Sequence, residues 1–438
     1  MEKSNHKSKI WLRTAMVFLF AVVVTVFSKM DVKAAISGVA TGVHQTYGDD
    51  DSIRFSWNNG YSSTGADVNY VWEVSANKQF TQITKVGNNS YDTEDTASGL
   101  AVGRTYYVRV GATEQEYVYM VDNTSKIPAD TKWSATVEMV TAPTSKIEGF
   151  KQTNATTSSM KFEWKKVASA NEYLISYKKY GSETWTNKYT TKTNYTIKGL
   201  KAATEYNVRI SPVRKATTGF RAVGDSTNSY TTYPTVSGKV KGLENEGVRK
   251  GQAYFSWDRM DNVDGYKVAI TKYGDKKWKH TIKVTTESGA YSDDAWVSTN
   301  NIKLGEFYRA KVCSYVKMSN GKLKCSAWSS DIVFGSSPKS VVAKKSGRNV
   351  KISWSKVNGA TGYVVYVSTS SNKGYKKVAT LKSNTRKYTL KKFNKKALKY
   401  GSDYYVRVEP IKKDGKKLYH TYFDYYSAYQ DSVWLTKW

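Results

Sequence analysis

At 438 residues the chain exceeds what one hydrophobic core usually serves, so several domains are expected. Tyr occurs 34 times and Trp 13 times, among frequent Val, Thr, Ser, Gly and Asn; this mixture suits half-buried strands joined by polar turns and argues against a helical protein. Charged residues make up 24% with no long low-complexity tract, which argues against disorder, and the net charge of +31 argues for an anionic partner.

The first segment reads as an address. Lys3, Lys7, Lys9 and Arg13 form a basic stretch ahead of a mostly apolar run from Ala15 to Phe27. Val32-Lys33-Ala34 then offers small residues of the kind a signal peptidase reads, so residues 1–34 are expected to be a signal peptide. The apolar run is shorter than the roughly 20 residues that span a bilayer, and no second such run follows, so no transmembrane span is expected after cleavage. An exported, extracellular protein is the expectation.

A repeat then governs the chain. Phe55-Ser-Trp57, Phe162-Glu-Trp164, Phe255-Ser-Trp257 and Ile352-Ser-Trp354 each place an apolar residue and a Trp on one strand face, with Trp spacings of 107, 93 and 97 residues. Nine residues beyond the last three Trp, Tyr173, Tyr266 and Tyr363 open alternating strands; Tyr70 is the counterpart in the first repeat, after a longer loop. Each unit closes on a strand built like Tyr106-Tyr-Val108-Arg-Val110, recurring from Tyr206, Tyr308 and Tyr404. Such alternation marks one buried face. Tyr just past a turn suits a tyrosine corner, whose hydroxyl bonds back to nearby backbone. Ser326-Ala-Trp328-Ser and Ser427-Ala-Tyr429-Gln mark a last strand, with Trp133-Ser-Ala a looser relative. Pro143, Pro234 and Pro338 fall at the seams, where Pro ends strand pairing. The expected domains are 35–143, 144–235, 236–338 and 339–438, in a beads-on-a-rod arrangement with short linkers.

Taken together, these markers resemble fibronectin type III domains, most closely the tandem copies in secreted proteins of Gram-positive bacteria. The segment from Trp354 to Tyr363 is the nearest match, and the first repeat departs furthest. The resemblance implies an all-β chain of four immunoglobulin-like β-sandwiches, each of seven strands in Greek-key order.

Catalytic signatures are missing. His44, His280 and His420 fall in different repeats, and the sequence has no metal-protease, Cys-x-x-Cys, phosphate-loop or nucleophile-elbow pattern. A non-enzyme without cofactor or bound metal is expected. Asp49-Asp50-Asp51 and Asp92-Thr-Glu94-Asp95 read as solvated turn acids, with calcium ligation the alternative. Cys313 and Cys325 flank the turn Ser319-Asn-Gly-Lys322, which leaves open a cross-strand disulfide or two thiols; counting outward from Asn320-Gly321 places Cys313 opposite residue 328 rather than Cys325. Trp185, Trp278 and Tyr375 each lie twelve residues beyond their strand-opening Tyr, which suits packing over a sheet edge or a platform for sugar rings. The cluster Tyr419, Tyr422, Tyr425, Tyr426 and Tyr429 carries more rings than one sandwich face needs.

Charge is unevenly divided: the four repeats carry −6, +9, +6 and +18. In the last, the lysines come in pairs: Lys344-Lys345, Lys376-Lys377, Lys391-Lys392, Lys395-Lys396, Lys412-Lys413 and Lys416-Lys417. Lys discourages edge-to-edge pairing, but +18 exceeds that need. The expected partner is an anionic cell-wall polymer or polysaccharide, with other surface proteins as further partners and no specific nucleic-acid recognition. Carbohydrate recognition or a ligand-free spacer are the rival readings.

Overall fold

The structure, a computed structural model, describes residues 39–435 apart from 61–67, 90–91, 114–126, 129–130, 145–146, 228–230, 250, 286–293, 301 and 422–429. The expected signal peptide, and Tyr422, Tyr425, Tyr426 and Tyr429, lie outside the described residues.

Core strands such as Ile53–Asn58, Ser159–Glu163 and Asn349–Trp354 alternate buried and more exposed residues. The first sandwich holds β1 (Thr41–Gly48), β2 (Ile53–Asn58), β3 (Asn69–Ser75), β4 (Ile83–Asn89), β5 (Glu94–Ala97), β6 (Thr105–Thr113), β7 (Lys132–Trp133) and β8 (Val137–Val140). The second holds β9 (Lys151–Ala155), β10 (Ser159–Glu163), β11 (Glu172–Lys179), β12 (Thr186–Thr190), β13 (Asn194–Lys198), β14 (Glu205–Lys215), β15 (Arg221–Val223) and β16 (Thr232–Pro234). The third holds β17 (Glu244–Arg249), β18 (Gln252–Asp258), β19 (Gly265–Lys272), β20 (His280–Thr285), β21 (Asp294–Thr299), β22 (Phe307–Lys317), β23 (Leu323–Cys325) and β24 (Ile332–Gly335). The fourth holds β25 (Val341–Ser346), β26 (Asn349–Trp354), β27 (Gly362–Ser368), β28 (Lys376–Lys382), β29 (Lys387–Leu390), β30 (Lys392–Phe393), β31 (Lys396–Ala397), β32 (Asp403–Asp414), β33 (Lys417–His420) and β34 (Gln430–Trp434).

One topology serves all four. A three-stranded antiparallel sheet, β1-β2-β5 in the first sandwich, faces a second sheet ordered β4-β3-β6-β7, with β8 also on β6; the other three repeat this order. The last strand is thus broken in two. At the break a hydroxyl stands in for the ladder: Ser134, Thr227 and Ser329 each accept from an amide of the neighbouring long strand, at Val110, Ile210 and Val312. Unpaired backbone donors are thereby satisfied.

Inward residues of the two sheets make one core per sandwich. Trp57, Trp164, Trp257 and Trp354 are all buried, each with its ring 5.1–5.5 Å from the strand-opening Tyr. Both expected tyrosine positions hold loops by their hydroxyls. Tyr106, Tyr206, Tyr308 and Tyr404 accept from the amides of Ala101, Lys201, Lys303 and Lys399 at 2.8–2.9 Å. Tyr70, Tyr173, Tyr266 and Tyr363 accept from Gly60, Val167, Met260 and Val357 at 2.8–3.0 Å.

The seams are packed. Each joins the turn before the long strand of one sandwich to two parts of the next: the loop after its Trp strand and the tip of its long hairpin. Between the first two, Arg214 donates to the Thr105 hydroxyl and the Ser169 carbonyl, while Ala216 and Ala222 bury against Val140 and Ala142. Gly103 there has φ +60, and a Cβ on it would lie 2.3 Å from the Ser169 Cβ. Between the second and third, Val316 and Met318 pack on Ala155 and Val236, and Asn262 donates to the Ala203 carbonyl at 2.8 Å. Between the third and fourth, the Asn358 amide donates to Gly305 at 2.8 Å, Tyr273 donates to Asp414 at 2.7 Å, and Phe307 joins the fourth core.

Candidate functional site

The twelve paired lysines of the fourth sandwich do not share one surface. Alternation sends neighbours on a strand to opposite sides, so a doublet contributes one side chain to a face at most. Lys344 is exposed on the outer side of β25, whereas Lys345, half-buried, has the inward parity of Ala343. Lys376 and Lys377 lie on β28, on the outer edge of the other sheet. Lys391, Lys392, Lys395 and Lys396 belong to the short hairpin β30–β31. Its two turn residues, Asn394 and Lys395, have φ of 51° and 66°, the left-handed pair that a two-residue hairpin requires. Lys412, Lys413, Lys416 and Lys417 are on the β32–β33 hairpin at the seam with the third sandwich, Lys412 Nζ lying 4.2 Å over the Tyr273 ring.

A basic face nevertheless exists, and two of its members are outside those pairs. On the outer surface of β25-β26-β29, Lys344 stands directly opposite Lys351, and Lys387, opposite Ser353, is one step along the same surface. All three are exposed. No Asp or Glu occurs between Lys339 and Ser402. Like charges directly opposite one another destabilise a sheet, so nothing in folding calls for this arrangement. The equivalent face of the second sandwich differs: Lys161 pairs with Glu163 at 2.8 Å, and Lys151 is opposite that same Glu163. On the first, Arg54 and Glu94 share the corresponding surface with His44, whose ring bonds Ser56 and the Gly42 carbonyl.

Trp185, Trp278 and Tyr375 are half-buried under cations. Arg209 lies 4.2 Å over Trp185, Lys311 4.1 Å over Trp278, and Arg407 3.8 Å over Tyr375. Arg109 occupies the same place in the first sandwich, 4.2 Å from both Phe80 and Trp133. All four cations fall three residues beyond the corner Tyr, a spacing readable in the sequence. They lock ring to strand by cation–π attraction.

Cys313 and Cys325, for which the sequence left a disulfide or two thiols open, stand as unbonded thiols. The register sets Cys325 opposite Tyr315, so the two cysteines stand diagonally rather than face to face. Burial, with Cys325 beside it, pushes the Cys313 thiol up to about 12. A thiol so protonated is a poor nucleophile.

Among the described residues, Asp49, Asp50 and Asp51 are the only three carboxylates gathered closely enough to consider for a metal. Burial opposes ionisation of Asp49, but bonds from the Ser52 hydroxyl and the Asp51 and Ser52 amides outweigh it and hold its pKa below the ordinary value. That pattern is a capped turn. His420 pairs with buried Glu409 at 2.9 Å, and the Tyr366 hydroxyl donates to the other Glu409 oxygen at 3.0 Å.

Residues 142–224 match the fibronectin type III domain family. The chain is also similar to a crystal structure of the chicken CNTN1 FN1-FN3 domains, at 13% identity over 68% of this chain and 99% of that one, TM-score 0.28. A two-domain fibronectin type III segment of chicken tenascin is similar at 17% identity over 43% of this chain and 99% of that one, TM-score 0.24. No curated protein matches the sequence. The fibronectin type III sandwich at 142–224 carries the same strand order as its three neighbours. The fold by itself assigns no function, which resides in the sites placed on it.

Proposed function

We propose that this chain is an extracellular, non-enzymatic scaffold that holds an anionic wall polymer on its fourth sandwich, by the outer face of β25-β26-β29. The observation that carries the reading is the Lys344–Lys351 opposition with Lys387 beside it, in a stretch without a single acid. Lys presents a compact, well-hydrated charge on a flexible stem, which suits diffuse attraction to a repeating polyanion more than fixed two-point recognition. The β30–β31 lysines extend the positive field toward the end of the sandwich. The acidic first repeat, at the far end of the array, would be presented outward. Stacking on neutral sugars finds less support, because Trp185, Trp278 and Tyr375 each lie under a cation of the same sandwich.

Titration calorimetry with a purified phosphodiester wall polymer tests this. Affinity should drop steeply as salt rises from about 50 to about 200 mM, because exposed charges are screened beyond roughly 10 Å. Replacing Lys344 and Lys387 together by Glu should weaken binding about tenfold, which is about 1.4 kcal/mol. Salt-independent binding, or full binding by that variant, would remove the basis of the proposal.

A further inference from the structure

In three sandwiches the outer face of the longer sheet carries a buried carboxylate held by a cation. Glu73 pairs with Arg109 at 2.6 Å, Glu172 with Arg221 at 2.6 Å, and Glu409 with His420 at 2.9 Å. The three acids occupy different places on that face. Glu73 is the third residue after Tyr70, Glu172 immediately precedes Tyr173, and Glu409 is the fifth after Tyr404. In the third sandwich those places hold Ala269, Gly265 and Cys313, and neither β19 nor β22 contains an Asp or Glu. The cations remain. Lys311 stands opposite Ala269, as Arg109 stands opposite Glu73. Lys267 lies between Cys313 on β22 and Lys283 on β20, and Lys283 is exposed. Like charges directly opposite one another oppose sheet formation, so folding does not call for the pair. Nearby acids are held by other cations: Glu306 by Lys272, Asp275 by Lys279 and Asp331 by Arg309. Rings interleave with the free lysines. Lys311 Nζ is 4.1 Å from the centre of Trp278 and 4.8 Å from that of Trp328, and Lys283 Nζ is 5.5 Å from that of Tyr315.

We infer that this face of the third sandwich is a second seat for the anionic polymer, so that two successive sandwiches hold one polymer chain. The inference rests on the polymer binding proposed above and adds a domain to it. Lys267, Lys283 and Lys311 supply charge that no acid on β19 or β22 offsets. Trp278 and Trp328, both half-buried, lie beside them and suit the less polar stretches between the charges of such a polymer. Two linked seats raise the effective concentration of polymer at each, so both faces contribute to the affinity of the whole chain.

Titration calorimetry on the chain from residue 35 onward, with the same phosphodiester polymer, separates the two faces. Lys283→Glu reverses one charge and sets an acid opposite Lys267, and it should weaken binding about fivefold, the upper end for exposed charges. Its thermal midpoint should stay level or rise, because opposite charges then face each other across the strands. Lys241→Glu makes the same change in net charge at an exposed turn of the same sandwich and should cost less than about twofold. Lys283→Glu combined with Lys344→Glu and Lys387→Glu should lose about fiftyfold, the product of the separate losses. Wild-type affinity in Lys283→Glu, or an equal loss in Lys241→Glu, overturns this inference and leaves the fourth-sandwich reading intact. Loss in Lys283→Glu alone, with full binding by the Lys344→Glu and Lys387→Glu variant, supports this face and overturns the other. A wild-type chain that binds no polymer overturns both.

Discussion

The second and fourth sandwiches share a frame and differ in charge. Trp164 and Trp354 fill the same core place, Tyr206 and Tyr404 hold the same turn, and Arg209 and Arg407 cover equivalent rings. On the outer face of the three-stranded sheet they part: Glu163 stands among the lysines of the second, while Lys344, Lys351 and Lys387 of the fourth have no acid beside them in sequence or register. The buried carboxylate of the other sheet differs too, being paired with Arg221 in the second and His420 in the fourth. Packing residues are thus held to one pattern while surface charge varies.

The largest test of the shared frame is the core itself. Trp164→Ala and Trp354→Ala should each cost about 3–5 kcal/mol in denaturant unfolding, the range for truncating a large buried side chain. Similar values at both sites would support the common frame. A cost near zero at either would show that the two cores are built differently.

A smaller effect separates the two faces. Lys351→Glu places opposite charge across from Lys344, so it should stabilise the fourth sandwich by about 0.2–1 kcal/mol while weakening polyanion binding. Stability and binding would then move in opposite directions at one residue. The reverse change in the second sandwich, Glu163→Gln, leaves Lys161 and Lys151 without their acid and should raise its contribution to polyanion binding about twofold, the scale of one exposed ion pair. If both changes leave calorimetric affinity untouched, the outer face is not what distinguishes these domains.

The frame was legible in the sequence because Trp, two Tyr and an alternating strand recur at near-constant spacing, and each has a fixed place in the core. The surface was harder to read. Counting lysine doublets pointed to Lys344-Lys345 and overlooked Lys351 and Lys387, because a face is assembled across strands whose residues are far apart in sequence. The seams were read only as short linkers: their contacts join one turn, one loop and one hairpin tip of different repeats, and no periodicity reports that. The cations over Trp185, Trp278 and Tyr375 could have been found, since a basic residue stands three positions after each corner Tyr. Counting outward from Asn320-Gly321 already set Cys313 off Cys325, and the register places Cys325 opposite Tyr315, two residues along the long strand from Cys313.

The finest distinction is the response to acid. Glu409 is 3% exposed, and burial raises its pKa above the ordinary carboxylate value by more than His420 and Tyr366 lower it. A carboxylate raised on folding takes up its proton earlier in the folded state than in the unfolded one. Its stabilising contribution is therefore full below the unfolded pKa and is lost as pH rises through the folded one. Tyr366, pushed up to about 12 mainly by burial, keeps its proton throughout. Measured by calorimetry, the thermal midpoint should therefore gain on that of Glu409→Gln as pH falls from about 7 toward about 4, the ordinary Glu value. In the second sandwich the cation beside Glu172 is a guanidinium, which keeps its charge over that whole span. If the wild-type chain instead loses ground to Glu409→Gln on acidification, the ion pair to His420 outweighs burial at Glu409.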